Sequence, residues 1–203
     1  MTCYIGDTES DGFVDGATRV WCGCFISLDG KDKRQFRPNE IPQMLEWMDT
    51  VDTLVFHNGT SHDHPLLNKL YDYEYKGIRD DSLVRSKLYK PRRFVPPNAP
   101  ANARRRPHSI EAWGWRVGRG KPEHSEWDRF SEDMFHRCME DAEIGRLTYL
   151  SLLEEEKQFN WSRATWLTNR LFDIVGRQQV HGWLLDQPWA NKCLSTLERW
   201  TRW

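Results

Sequence analysis

At 203 residues the chain has room for one large domain, or for a domain plus an extension. With 38% hydrophobic and 29% charged residues it reads as globular, and no apolar run approaches the length of a bilayer span. The net charge of -1 announces no nucleic-acid binder but does not exclude one, because an acidic catalytic centre can offset a basic surface elsewhere.

Met1-Thr2 leads straight into the first apolar stretch, so no secretory leader is expected. The five Cys lack Cys-x-x-Cys spacing. Cys22 and Cys24, two apart in an apolar run, read as buried thiols rather than zinc ligands or a disulfide, which fits a reducing cytoplasm. Eleven Trp suit a core or the binding of flat ligands.

Residues 3–6 suit a strand, and Asp7-Thr8-Glu9 ends it. Side chains two apart on a strand share a face, so Asp7 and Glu9 can reach one hard cation together. Read alone, the turn-rich run Thr8-Glu9-Ser10-Asp11-Gly12 favours a solvated turn, a reading that the later carboxylate-bearing segments reverse. Residues 19–27 read as a second strand, and residues 33–37 pair back as a third after the Asp29-Gly30 turn. Met44, Leu45 and Met48 mark a helix over residues 42–48. Residues 53–57 form a short buried strand, and helices follow over residues 63–71 and 81–89. Strands first, then strand alternating with helix, indicate an α/β fold with a mixed central sheet flanked by helices.

Residues 90–107 break the pattern, with five Pro, six basic residues and no acid. Such a segment reads as a mobile surface loop, or as a flap that contacts phosphates. Ser109 caps a helix over residues 109–117. Ser131 caps another, whose apolar positions from Met134 to Leu153 follow a 3.6 period and leave room for a break near the middle. Residues 161–203 read as two amphipathic helices divided by residues 182–188. The second lines one side with Trp189, Cys193, Leu197 and Trp200, a face that needs a partner surface.

Three segments carry the chemistry: the one from Asp7 to Phe13, the one from His57 to Asp63, and His136-Arg137-Cys138-Met139-Glu140-Asp141. Together they resemble the three motifs of the DEDD 3′–5′ exonucleases, which have an RNase H-like fold. His57-Asn58-Gly59, Asp63, Asp81-Ser82-Leu83-Val84 and Glu111-Ala112-Trp113-Gly114 resemble the N-terminal proofreading domain of family A DNA polymerases from short-tailed phages. The resemblance implies an exonuclease domain over residues 1–157. It also implies a helical extension over residues 158–203, similar to the lead-in to a polymerase domain.

The same resemblance implies two divalent ions, Mg²⁺ or Mn²⁺, held by Asp7, Glu9, Asp63 and Asp141. Asp7 would bridge both ions, Glu9 and Asp141 would complete the site of the attacking water, and Asp63 would support the second ion. The family's general base is a Tyr four residues before the last Asp or a His five before it. Arg137 and His136 hold those places here, so the His-type (DEDDh) pattern applies, with His136 as base. Thr8, Ser10, Phe13 and Asn58 would contact substrate, Phe13 by stacking at the terminal bases unless it is a core residue. Arg104, Arg105 and Arg106 would track phosphates. His62 stands where the family carries Phe or Tyr, and with His64 it also invites a metal reading.

The implied partners are single-stranded DNA or frayed 3′ ends, and a DNA polymerase in cis or in trans through the Trp-rich helix. The implied setting is the cytoplasm of an infected bacterial host. Three alternatives stay open: an all-helical HD-type phosphohydrolase using His57, His62-Asp63 and Asp141, a non-catalytic DNA-binding or polymerase-assembly module, and a ribonuclease on the same fold.

Overall fold

The computed structural model describes residues 1–121 and 126–201. Its centre is a five-stranded mixed sheet of order β3-β2-β1-β4-β5, formed by Cys3–Ser10 (β1), Val20–Ser27 (β2), Lys33–Phe36 (β3), Thr53–Phe56 (β4) and Ile78–Asp81 (β5). β1, β2 and β3 form an antiparallel meander. β4 lies parallel to β1, and β5 parallel to β4.

The period-2 alternation of β1 divides its side chains between two cores. Ile5 packs with Val55 and Tyr149 on one face. On the other, Gly6 meets the ring of Phe25 so closely that a Cβ would lie 2.4 Å from it. Phe25 joins Met44, Met48, Leu54, Phe56, Leu66 and Leu67 in the larger cluster, closed by helices α1 (Ile41–Met48) and α2 (Asp63–Tyr71). Cys22, Cys24 and Ile26 of β2 turn the opposite way, onto Met134, Phe135, Cys138, Met139 and Ala142. Cys22 and Cys24 are buried free thiols, as expected for that pair.

The helices of that second face are α3 (Ser82–Tyr89), α4 (Ala101–Arg105), α5 (Ile110–Val117) and α6 (Glu132–Glu156). The Ser109 hydroxyl accepts from the Ala112 amide and the Ser131 hydroxyl from the Met134 amide, so both expected caps form. α6 runs unbroken for 25 residues, without an interruption at its middle. The chain closes with α7 (Ser162–His181) and α8 (Gln187–Thr201).

The first strand extends through Glu9 to Ser10, with Asp7, Thr8 and Glu9 paired to Cys24, Gly23 and Cys22 of β2, so the two carboxylates stand on the strand, as expected. One expectation is corrected. Residues 90–107 are no free loop. Arg93 is buried, forms a two-pronged pair with Glu155 at 2.7 and 2.8 Å, and lies over the Trp113 ring. Ala99 and Ala103 pack on Ala112. A buried, bidentate ion pair and a small apolar contact dock a segment that composition alone marks as solvated.

Candidate active site

β1 and β4 run parallel, with Ile5 opposite Val55, so Asp7, Glu9 and the turn after β4 meet at one end of the sheet. Ligands of open α/β sheets gather outside the carboxyl ends of such strands. Asp7 and Glu9 share the face of Ile5, toward α6, and there they meet Asp141. One carboxylate oxygen from each of the three lies within 4.8 Å of the others, the one grouping of this kind among the described residues. Helix α6 is fixed under β1 by the Cys138 thiol, which donates to the Asp7 carbonyl at 3.2 Å.

Asp63, the first residue of α2, reaches the site from the opposite face of β1. The Thr8 hydroxyl donates to its Oδ1 at 2.6 Å and ties α2 to β1. Thr8 and Ser10 are both buried, and the Ser10 hydroxyl donates to the Gly12 carbonyl. Their side chains therefore brace the site from within. Alternation explains this: residues next to Asp7 and Glu9 must point away from α6.

The turn carrying His57, Asn58 and Thr60 is organised by Asp81. Its carboxylate accepts from the amides of Asn58 (3.0 Å) and Thr60 (3.1 Å), and it also caps α3 through Leu83 and Val84. Asn58 takes a left-handed conformation, φ 76°, which Asn tolerates better than most residues. The His57 ring is a buried brace, with one nitrogen 2.8 Å from the Ser82 hydroxyl and the other 2.8 Å from the His108 carbonyl. Burial pushes its pKa down to about 4, so it is neutral at physiological pH.

Burial pushes the Asp7 carboxyl well above the ordinary range, and Glu9, Asp141 and Asp63 push further in the same direction. Glu9 rises to about 7, chiefly through burial and then through Asp141. Burial also raises Asp63 and Asp141. Two cations oppose this crowding. Lys121 Nζ lies 2.5 Å from Asp141 Oδ2, and Arg137 Nε lies 3.6 Å from Glu9 and 3.9 Å from Asp141. The other Asp141 oxygen, Oδ1, is buried without a hydrogen-bond partner. Clustered oxygen donors, raised pKa values and an orphaned carboxylate oxygen fit a hard divalent ion.

The structure does not bring His136 to the carboxylates. A helix turns about 100° per residue, so only one of His136 and Arg137 can face the strand. Arg137, four residues before Asp141, shares its face, and His136 is exposed beside Glu140. His64 belongs to the core, edge-on to Phe56 and stacked near Tyr75, with its pKa pushed down to about 3 by burial. Neither His62 nor His64 joins the oxygen cluster.

A cleft of about 440 Å³ opens beside the site, lined by Asp7, Phe13, His57, Asn58, His62 and Asp63. Phe13 is 86% exposed at its mouth, so it is no core residue. Gly176 and Gln179 of α7 line the far side. Arg104, Arg105 and Arg106 are exposed at the end of α4, outside the lining, and Arg104 donates to the Pro97 carbonyl. The sequence reading missed Lys121 and Arg137. The i, i+4 relation to Asp141 could have exposed Arg137, but Lys121 comes from a separate loop and carries no local signal.

Solved structures share this architecture. NrnC of Brucella melitensis bound to pGG matches with a TM-score of 0.65 at 13% identity, covering 89% of this chain and 86% of that one. The catalytic core of RRP6 from Trypanosoma brucei matches with a TM-score of 0.62 at 13% identity, covering 85% of this chain and 46% of that one. The fold is the RNase H-like exonuclease fold. RNase D of Escherichia coli has it too, with a TM-score of 0.54 at 15% identity over 86% of this chain and 44% of that one. No family model matches the chain. In sequence it is similar to the DNA-directed DNA polymerases of Escherichia phage T7 and Enterobacteria phage T3, each 23% identical over 190 residues and 76% of this chain. The chain spans 27% of the length of those polymerases. These likenesses agree with the DEDD exonuclease resemblance. The five-stranded sheet that carries the exonuclease fold removes the all-helical HD-type alternative. Among the described residues, no helix is long and apolar enough to cross a membrane.

Proposed function

We propose that the chain is a metal-dependent 3′–5′ exonuclease that releases nucleoside monophosphates from DNA 3′ ends. The observation that carries this reading is the convergence of Asp7, Glu9 and Asp141, with Asp7 also lining, beside Asp63, a nucleotide-sized cleft. The similarity to the phage DNA polymerases and the shared exonuclease fold support it.

In this reading Asp7, Glu9 and Asp141 hold the divalent ions, Mg²⁺ or Mn²⁺, and Asp63 supports them from the α2 side. Two such ions would neutralise the scissile phosphate, activate the attacking water and stabilise the leaving oxygen. The chain's own residues do the positioning. Thr8 and Cys138 fix the carboxylate-bearing elements on β1. Asp81 holds the Asn58 turn where the terminal nucleotide would lie. Phe13 offers a ring at the cleft mouth on which any base can stack, which suits an enzyme that removes all four. Arg137 takes the place that the resemblance gives to the base, so this reading rests on the carboxylates and not on His136.

Residues 1–157 would form the exonuclease domain and residues 158–203 an extension toward a polymerase, whose errors the exonuclease would correct. The extension's exposed apolar face supports that partnership.

The test is a 5′-labelled oligonucleotide assay comparing DNA with RNA, and single strand with duplex, in Mg²⁺, Mn²⁺ or EDTA. The expected result is a ladder shortening from the 3′ end. EDTA abolishes it, and Asp7→Ala lowers turnover by more than about 10³-fold, or about 4 kcal/mol of transition-state stabilisation. Release of the label as a mononucleotide, or no product at all, refutes the reading. A ladder on RNA alone moves the substrate from DNA to RNA.

A further inference from the structure

Lys121 and Arg137 reach the same carboxylates but are built differently. Arg137 belongs to α6, as Asp141 does. It lies over the Trp127 ring at 5.1 Å and is shared between Glu9 and Asp141 at 3.6 and 3.9 Å. Lys121 comes from the segment after α5, keeps 20% of its side chain exposed, and makes one short contact, 2.5 Å to Asp141 Oδ2. An ammonium on a four-carbon stem is a point charge that can swing, whereas a stacked guanidinium is held.

Asp141 is only half satisfied by this contact. Its Oδ2 has the ammonium, while Oδ1 is buried with no hydrogen bond. A divalent ion carries twice the charge of the ammonium and prefers carboxylate oxygens, so the two compete for the same group. Asp7 belongs both to this cluster and to the lining of the cleft, so a phosphodiester bound in the cleft would bring a new anion next to a displaced ammonium.

We propose that Lys121 is a movable catalytic cation: it occupies Asp141 in the metal-free site, is displaced by the incoming divalent ion, and then contacts a non-bridging oxygen of the scissile phosphate. The proposal rests on the exonuclease reading above and adds a residue to it. Arg137, by contrast, stays on Glu9 as a positioning residue.

The test uses the full chain with Lys121→Met. The first readout needs no nucleic acid: the Mn²⁺ concentration at the midpoint of the metal-induced rise in Tm. It should fall about three- to tenfold, because the competing charge is gone, an effect within the range of neighbours that tune a metal site. The second readout is turnover of a labelled oligonucleotide at saturating Mn²⁺. It should fall about ten- to a hundredfold, the size of a lost charge contact in the transition state. Lys121→Arg keeps the charge, so it should leave the midpoint within about twofold and restore at least about a tenth of turnover.

An unchanged midpoint, or unchanged turnover at saturating metal, overturns the proposal. Should Lys121→Met unfold, judged by circular dichroism, Lys121→Gln is read by the same two criteria. Wild-type chain that degrades no oligonucleotide overturns the exonuclease reading and this proposal together. Active wild type with a matching Lys121→Met overturns this proposal alone.

Discussion

Helices α6 and α8 both read as amphipathic from their sequence, yet the fold treats them oppositely. α6 buries eleven residues against β1, β2 and neighbouring helices, while α8 buries none. Trp189, Leu197 and Trp200 of α8 stay between 61 and 78% exposed. A period of 3.6 announces that a helix has an apolar face but not what will cover it. The acidic site stands on the covered helix, so its geometry is fixed by packing within this chain. The tail's apolar face is left uncovered by the described residues.

The largest effect that would break this contrast is on the covered side, at His57. Its folded pKa of about 4 lies below the ordinary histidine value of 6.5. The folded state therefore binds fewer protons than the unfolded one between those values. Its contribution is fully present above pH 6.5 and is lost as pH falls toward 4, by up to about 3 kcal/mol. Because the raised carboxylates are common to both proteins and act in the opposite direction, the readout is a difference: over that window the Tm of metal-free wild type should fall relative to that of metal-free His57→Asn. An equal acid loss in the variant would show that His57 is not a buried neutral brace.

A smaller effect separates neighbours on α6 itself. Arg137→Ala should lower turnover about tenfold, or about 1.4 kcal/mol, because Glu9 loses its partner. His136→Ala should stay within about threefold, since its ring faces solvent. The reverse order in steady-state assays would return the base role to His136.

The smallest effect is expected at the tail. Ending the chain before α8 should leave Tm within about 2 °C, because surface residues without buried contacts contribute little to stability. A large drop in a thermal melt would show that α8 is part of the core.

Much of the fold was legible from local pattern. Short apolar, strand-forming runs placed β1, β2 and β4, capping residues placed α5 and α6, and α2 begins at Asp63 as expected. β5 escaped because Ile78–Asp81 carries three charges in four residues. Its Asp80 is nonetheless buried, held by Arg85 at 2.7 Å and by the Tyr149 hydroxyl at 2.7 Å. The helix α4 and the docking of residues 90–107 escaped for a similar reason, since a Pro-rich basic run looks solvated until Glu155, about sixty residues away, reaches Arg93.

By itself the sequence determined the acidic residues and their spacing: Asp7 and Glu9 on one strand face, Asp63 at a helix start, Asp141 on a long helix. Those are local facts, set by periods of 2 and 3.6. Only the tertiary structure decided which groups meet them. It turned Arg137 inward and His136 outward, brought Lys121 from another loop onto Asp141, and put the hydroxyls of Thr8 and Ser10 to internal use. Charges find partners across the fold, and spacing along the chain does not record distances through space.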